Sequence, residues 1–218
     1  MLEQGYLEIL CPKLDTPHAQ RVRDLMARYD GVHLACFGTP DAAFERERLA
    51  AHGFDPEPMV NLQRTIDTGE QLRFNVVHVA PGKMPEGRVQ YCEHLTPEHL
   101  WKDEYVNPLS LEAIYVVADD AAKTAARWAL FAGLLPRREG DMVRLDTARG
   151  KIFLATRKIL SRLLGNVPAA PGIAGYRLRC RAPAGLAERC AKAGAKVKRS
   201  GKRYAVTLPA ALGGTWLL

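Results

Sequence analysis

The sequence predicts an α+β fold in which one unit of strand, helix and further strands recurs, with helices packed outside mixed or antiparallel sheets. Three observations carry this expectation. The theme returns over 32–95, 111–156 and 173–218, on the scale of roughly 50 residues at which internal repeats define an architecture. The three helices end alike, at AAHGF, LFAGL and AKAGA, each with a glycine leading into extended chain. The strand candidates alternate in polarity and are rich in β-branched and aromatic residues.

Taken in order, Tyr6–Leu10 reads as a strand, Cys11–Thr16 as a turn, and Ala19–Tyr29 as an amphipathic helix with Val22, Leu25 and Met26 inward. A strand so near the start has no hairpin partner before it. It must pair further along the chain or with a second copy, so a homodimer is one expectation. Val32–Gly38 is the first strand of the next unit, and Pro40–His52 is its helix. Ala42, Phe44, Leu49 and Ala50 recur there near the helical period, with Thr39 and Pro40 suited to the start and Gly53 to the end. Leu72–Ala80 and Arg88–Leu95 are strands joined by a turn over Pro81–Gly87. On the second, Val89, Tyr91, Glu93 and Leu95 face one way and Arg88, Gln90, Cys92 and His94 the other. Thr96–Ser110 is a connection with a short helix over Pro97–Lys102.

The next repeat has a strand at Leu111–Ala118, a helix at Asp119–Gly133, and strands at Met142–Thr147 and Lys151–Thr156. Arg157–Gly172 is a linker, helical as far as Leu164. The last repeat has Ile173–Arg181, the helix Pro183–Gly194, and strands at Lys202–Leu208 and Thr215–Leu218. The expected divisions are 1–30, the closing strand and linking helix of an incomplete first unit, then units at 31–110, 111–160 and 171–218.

Composition narrows the function classes. A chain of 218 residues that is 47% hydrophobic and 25% charged has globular proportions. No apolar run is long enough for a membrane helix. Five cysteines without CxxC spacing argue against a zinc ribbon and fit reduced thiols in a cytoplasmic setting. Residues 1–110 carry a net charge of −6 and residues 111–218 one of +13. A basic half raises the question of nucleic acid. The basic residues are spread over several elements and aromatics for base stacking are sparse, which favours a solvated face or a groove for an anionic small molecule.

The run VAPGKMPEGRVQYCEHLTPEHLWKDEYVNP holds Gly87-Arg88, Glu93, Thr96-Pro97, Trp101 and Asn107-Pro108. In that pattern it resembles the glyoxalase-like family of the vicinal oxygen chelate superfamily. GVHLACFGTPDAAFERERLAAHGF is similar to that family's strand-and-helix unit, and GYLEIL to a closing strand, so the likeness covers residues 5–156. The resemblance implies βαβββ units that pair into half-open barrel sheets, with helices on the outer faces and a cleft on the concave side. It implies ligands for a divalent metal (Mn, Fe, Ni or Zn) from first and last strands. The matching positions are Glu8, His33 and Glu93. Such a centre would hold two vicinal substrate oxygens, with a carboxylate, Glu93, moving the proton.

Tyr91, His78, Arg88 and Trp101 are the candidates for binding the small-molecule substrate. The activity implied is a metal-dependent lyase, isomerase or dioxygenase acting on a small oxygenated metabolite. The alternative is a protein of the same fold that sequesters a small ligand without turnover. Each residue also has a plain structural reading. His33 fits a hydrogen-bonded core histidine, Glu8 an exposed edge carboxylate, Tyr91 and Trp101 core aromatics, and Arg88 an ion pair with Glu86. Glu93 among Tyr91, Cys92 and Leu95 is the sharper case, because a carboxylate buried there costs several kcal/mol, roughly, unless it is paired or bound.

Overall fold

A computed structural model of the chain describes residues 1–29, 31–169, 171–209 and 212–218. The fold is α+β, with two mixed sheets, helices against them, and neither sheet closed into a barrel. The chain opens with β1 (Leu2–Gln4) and α1 (Pro17–Met26). Next come β2 (Leu34–Gly38), α2 (Ala42–Ala51), β3 (Val60–Thr65), β4 (Gln71–His78) and β5 (Arg88–His94), which form a four-stranded sheet in the order β2-β5-β4-β3. The third stretch holds β6 (Asn107–Val117), α3 (Ala121–Ala132), β7 (Pro136–Glu139), β8 (Met142–Asp146) and β9 (Lys151–Ala155). After α4 (Arg157–Leu164) come β10 (Gly172–Cys180), α5 (Pro183–Lys192), β11 (Lys196–Ser200), β12 (Arg203–Thr207) and β13 (Thr215–Leu217).

These last two sets of strands make one nine-stranded sheet in the order β11-β12-β13-β10-β6-β9-β8-β7, with β1 beside β6. In each set the first strand pairs parallel with the last, and the others follow as antiparallel neighbours. β6 and β10 join the two sets antiparallel.

Local chemistry fixes the helices. Asp41 accepts from the Phe44 amide at 2.9 Å and Asp120 from the Lys123 amide at 2.9 Å, capping α2 and α3. The cap of α2 is therefore Asp41 rather than the expected Thr39. α3 ends at Gly133, whose φ of +65° suits the residue without a Cβ. Leu49 of α2 and Trp128 and Phe131 of α3 share one core with Ala35, Val77, Val89 and Tyr91 of the small sheet. Val116, Leu145, Ile152 and Leu154 of the large sheet complete it. Leu160 and Leu164 of α4 cover the opposite face of the large sheet over Tyr115, Val117 and Phe153.

Two expectations are corrected at the N-terminus: the place of the strand, and Met26, expected inward on α1 but exposed. The strand there is Leu2–Gln4, not Tyr6–Leu10. Gly5, at φ +74°, turns the chain off the large sheet, and Leu7, Ile9 and Leu10 are left exposed. Tyr6 instead lies against the small sheet, near His94 and Trp101. Three strands were not expected at all: β3, β7 and β11. Each is mostly exposed and polar and forms the outer edge of its sheet.

Candidate functional site

The pairing of β5 decides which side chains meet. Its antiparallel register with β4 sets His94 opposite Phe74, Cys92 opposite Val76 and Gln90 opposite His78. Its parallel register with β2 sets Gln90 beside Cys36 and Arg88 beside Leu34. One face of the small sheet thus carries Arg88, Gln90, Cys92, His94, Phe74, His78 and Cys36, because directly paired residues share a side. The other face carries Val89, Tyr91 and Glu93 and packs on α2 and α3.

The polar face is a built site. Arg88 Nη2 lies 2.7 Å from His78 Nε2, and His78 is 8% exposed. Among the described residues Arg88 forms no ion pair. Burial, and then the charge of Arg21, holds its guanidinium below the ordinary arginine value, though it stays charged. Gly87 places Arg88 by close approach, since a Cβ there would meet His33 O at 2.9 Å.

Gln90 Nε2 donates to Cys36 Sγ at 3.8 Å. Hydrogen bonding from Cys92, Gln90 and Tyr6 brings the Cys36 thiol below its usual pKa. Cys92 is raised by that same contact with Cys36 and by burial. Tyr6, Phe74 and Trp101 surround His94 with ring centres 6.0, 5.2 and 5.2 Å away. Burial, and then the nearby Arg149, lowers the His94 pKa. Gln90 Oε1 and His94 Nε2 are both buried and make no hydrogen bond among the described residues. Glu8 is exposed, and its charge is felt by Tyr6, Cys36, Cys92 and Arg88.

The structure therefore brings His78 and Arg88 together, sets Trp101 with Tyr6 and His94 towards the other end of the same face, and leaves Glu8 exposed nearby. It does not bring Tyr91, Glu93 or His33 to them. Tyr91 stacks on Phe131 at 5.3 Å, donates to Phe131 O at 3.2 Å and accepts from Arg48 Nη2 at 3.1 Å. Burial is the main cause that pushes its phenol up to about 12. Glu93 accepts from Asn75 Nδ2 at 2.8 Å and from the Ala42 amide at 3.4 Å, at the positive end of α2. His33 lies at the far end of β2 beside the Tyr29 ring, 4.5 Å away, and its carbonyl accepts from the Arg88 amide.

The expected placement of Tyr91 and Glu93 in the cleft is thus reversed. α2 and α3 need an apolar bed, and the half of β5 with Val89 and Tyr91 supplies it. Reading Arg88, Gln90, Cys92 and His94 as the more polar stripe would have found the open side, and with it the residues missed, Tyr6, Cys36, Gln90, Cys92 and His94.

A metal centre does not fit these side chains. In the parallel ladder Arg88 follows His33, while Glu93 lies beyond the last pair, Gly38 with Cys92. That offset of about six residues is about 20 Å at 3.3 Å per residue. Among the described residues no three of His, Cys, Asp or Glu stand close enough to hold a metal ion. No helix among them is long and apolar enough to cross a membrane.

A family model for a glyoxalase-like domain matches residues 1–131. No curated protein matches the chain. Among solved structures, a hypothetical protein from Staphylococcus aureus shares 9% identity over 84% of this chain and 62% of its own, with a TM-score of 0.59. The Mn(II)-bound glyoxalase from Novosphingobium aromaticivorans shares 11% over 86% and 62%, with a TM-score of 0.52. A catechol 2,3-dioxygenase shares 11% over 87% and 72%, with a TM-score of 0.51. At these identities the likeness is one of fold, and the chain spans 62% of the length of the first two.

Proposed function

The chain belongs to the glyoxalase-like domain family, and on that premise we propose that the polar face of its small sheet binds a small oxygenated anion. Arg88, oriented by His78, receives the oxyanion. Gln90 Oε1, two residues along the strand, accepts from a hydroxyl or similar donor on the same molecule, and Tyr6, beside Cys36, walls it. The observation that carries this reading is the buried Gln90 Oε1, without a hydrogen bond among the described residues, on one face beside a half-buried arginine that forms no ion pair among them. Buried polar atoms of that kind cost about 1–3 kcal/mol each unless something meets them.

Sequestration of the ligand fits the geometry better than the metal-dependent lyase, isomerase or dioxygenase chemistry that the family resemblance implies. That chemistry would need Glu8, His33 and Glu93 in one sphere, and the strand register separates His33 from Glu93. Glu93 instead ties β4 to the start of α2.

The test is calorimetry against a panel of small hydroxy acids, with Arg88→Gln and Gln90→Leu beside the parent chain. Each change is expected to weaken the best ligand about tenfold or more. Equal binding by all three proteins would sink the reading. Metal analysis checks the rejected alternative: stoichiometric Mn, Fe, Ni or Zn that disappears in Glu93→Gln would restore it.

A further inference from the structure

A second set of basic groups lies on the large sheet, outside the stretch that the family model matches. A cavity of about 230 Å³ is lined by Arg177, Arg179, Arg203, Glu112 and apolar side chains that include Leu217 and Pro183. Its position follows from register. Arg177 pairs with Ala113 on β6 and Leu217 on β13, and Leu217 pairs with Ala205 on β12, so Arg177 and Arg203 project from the same face.

Glu112 is engaged by Arg179 at 3.6 Å. Arg177 and Arg203 form no ion pair among the described residues. The Arg177 guanidinium rests 5.8 Å from the centre of the fully buried Tyr115 ring, which holds it in place at low entropic cost. Guanidinium groups that line one cavity offer paired N–H donors that match a phosphate or carboxylate.

We infer that this cavity is a second binding site, for a small organic anion with a phosphate or carboxylate head and a compact apolar body. Arg177 and Arg203 clamp the head, and Leu217 and Pro183 contact the body. The volume admits one small molecule and not a polymer. It also gives the concentration of positive charge after residue 110 a local purpose that a solvated basic face would not supply.

The test titrates the full chain with inorganic phosphate, phenyl phosphate and benzoate at constant ionic strength, followed by calorimetry. Saturation at one equivalent is expected in the Arg88→Gln background, which removes the other anion site, with the better of the two aromatic anions bound about tenfold more tightly than inorganic phosphate through its apolar body. A preference for phenyl phosphate assigns a phosphate ester, and one for benzoate a carboxylate. Arg203→Gln, at an exposed side chain that the fold does not need, and Arg177→Gln should each weaken binding about tenfold. Arg162→Gln, exposed on α4, should not change it. Absence of saturation by all three anions would overturn the inference. So would equal loss on Arg162→Gln, or tighter retention of a single-stranded oligonucleotide that also depends on Arg162, because either marks a diffuse basic surface.

Discussion

Gln90 and Tyr91 are adjacent on one strand and meet opposite conditions. Tyr91 has every polar need met: its hydroxyl donates to Phe131 O, accepts from Arg48, and its ring stacks on Phe131. Gln90 has one donor on Cys36 and a buried carbonyl oxygen with no hydrogen bond among the described residues. Glu93 and His94 repeat the contrast one turn of the pleat later. The carboxylate is satisfied by Asn75 and the start of α2, and the imidazole is held by rings with Nε2 unmet among the described residues. One face of β5 is thus occupied with stability, and the other keeps polar atoms in reserve at a cost to stability. That division is what a binding face on a packed scaffold requires.

The comparison breaks most visibly on the packed face. Phe131→Ala removes the ring that Tyr91, Phe37 and Phe54 all touch, and should cost about 3–5 kcal/mol in urea unfolding. A loss under about 1 kcal/mol would show that α3 is not anchored on the small sheet as described. Arg88→Gln should do the reverse: ligand affinity drops about tenfold while stability changes by less than about 1 kcal/mol. If the same substitution unfolds the chain, Arg88 belongs to the scaffold and the two faces are not divided in this way. Tyr91→Phe sharpens the contrast further. It removes two hydrogen bonds and keeps the ring, so it should cost about 1 kcal/mol and leave ligand binding untouched.

Most helices were legible because their signals are local. Period and closing glycines place α2, α3 and α5 within a few residues of where they lie. The edge strands were not. VNLQRT, PRRE and KVKRS are polar along nearly their whole length, because an edge is kept soluble by charge and not by burial. No alternation of hydrophobicity exists there to be read. The candidate site failed for a different reason. The alternation along Arg88–His94 is plain, but which half meets helices depends on what α2 and α3 bring, and that is tertiary information. Apolar neighbours made Glu93 look like a buried catalytic carboxylate. In the fold, Asn75 and the α2 amide explain it.

The smallest effect concerns the imidazole at 94 and has a definite sign. Burial first, and the charge of Arg149 second, favour its neutral form in the folded chain. In the unfolded chain it titrates near the ordinary value of about 6.5. Between the lowered folded value and about 6.5 the unfolded state binds more protons, so stability rises with pH in that window and is lost as pH falls through it. The ring is partly solvated and the field of Arg149 is screened, so the loss should stay below about 1 kcal/mol. His94→Phe should flatten the stability profile between about pH 7 and 5 relative to the parent chain. His33, at the other end of the sheet, supplies the control: its replacement by Phe leaves the His94 contribution in place. Parallel profiles for the parent and His94→Phe would mean that the unmet nitrogen is solvated like any surface histidine, and the polar face would lose one of its two acceptors.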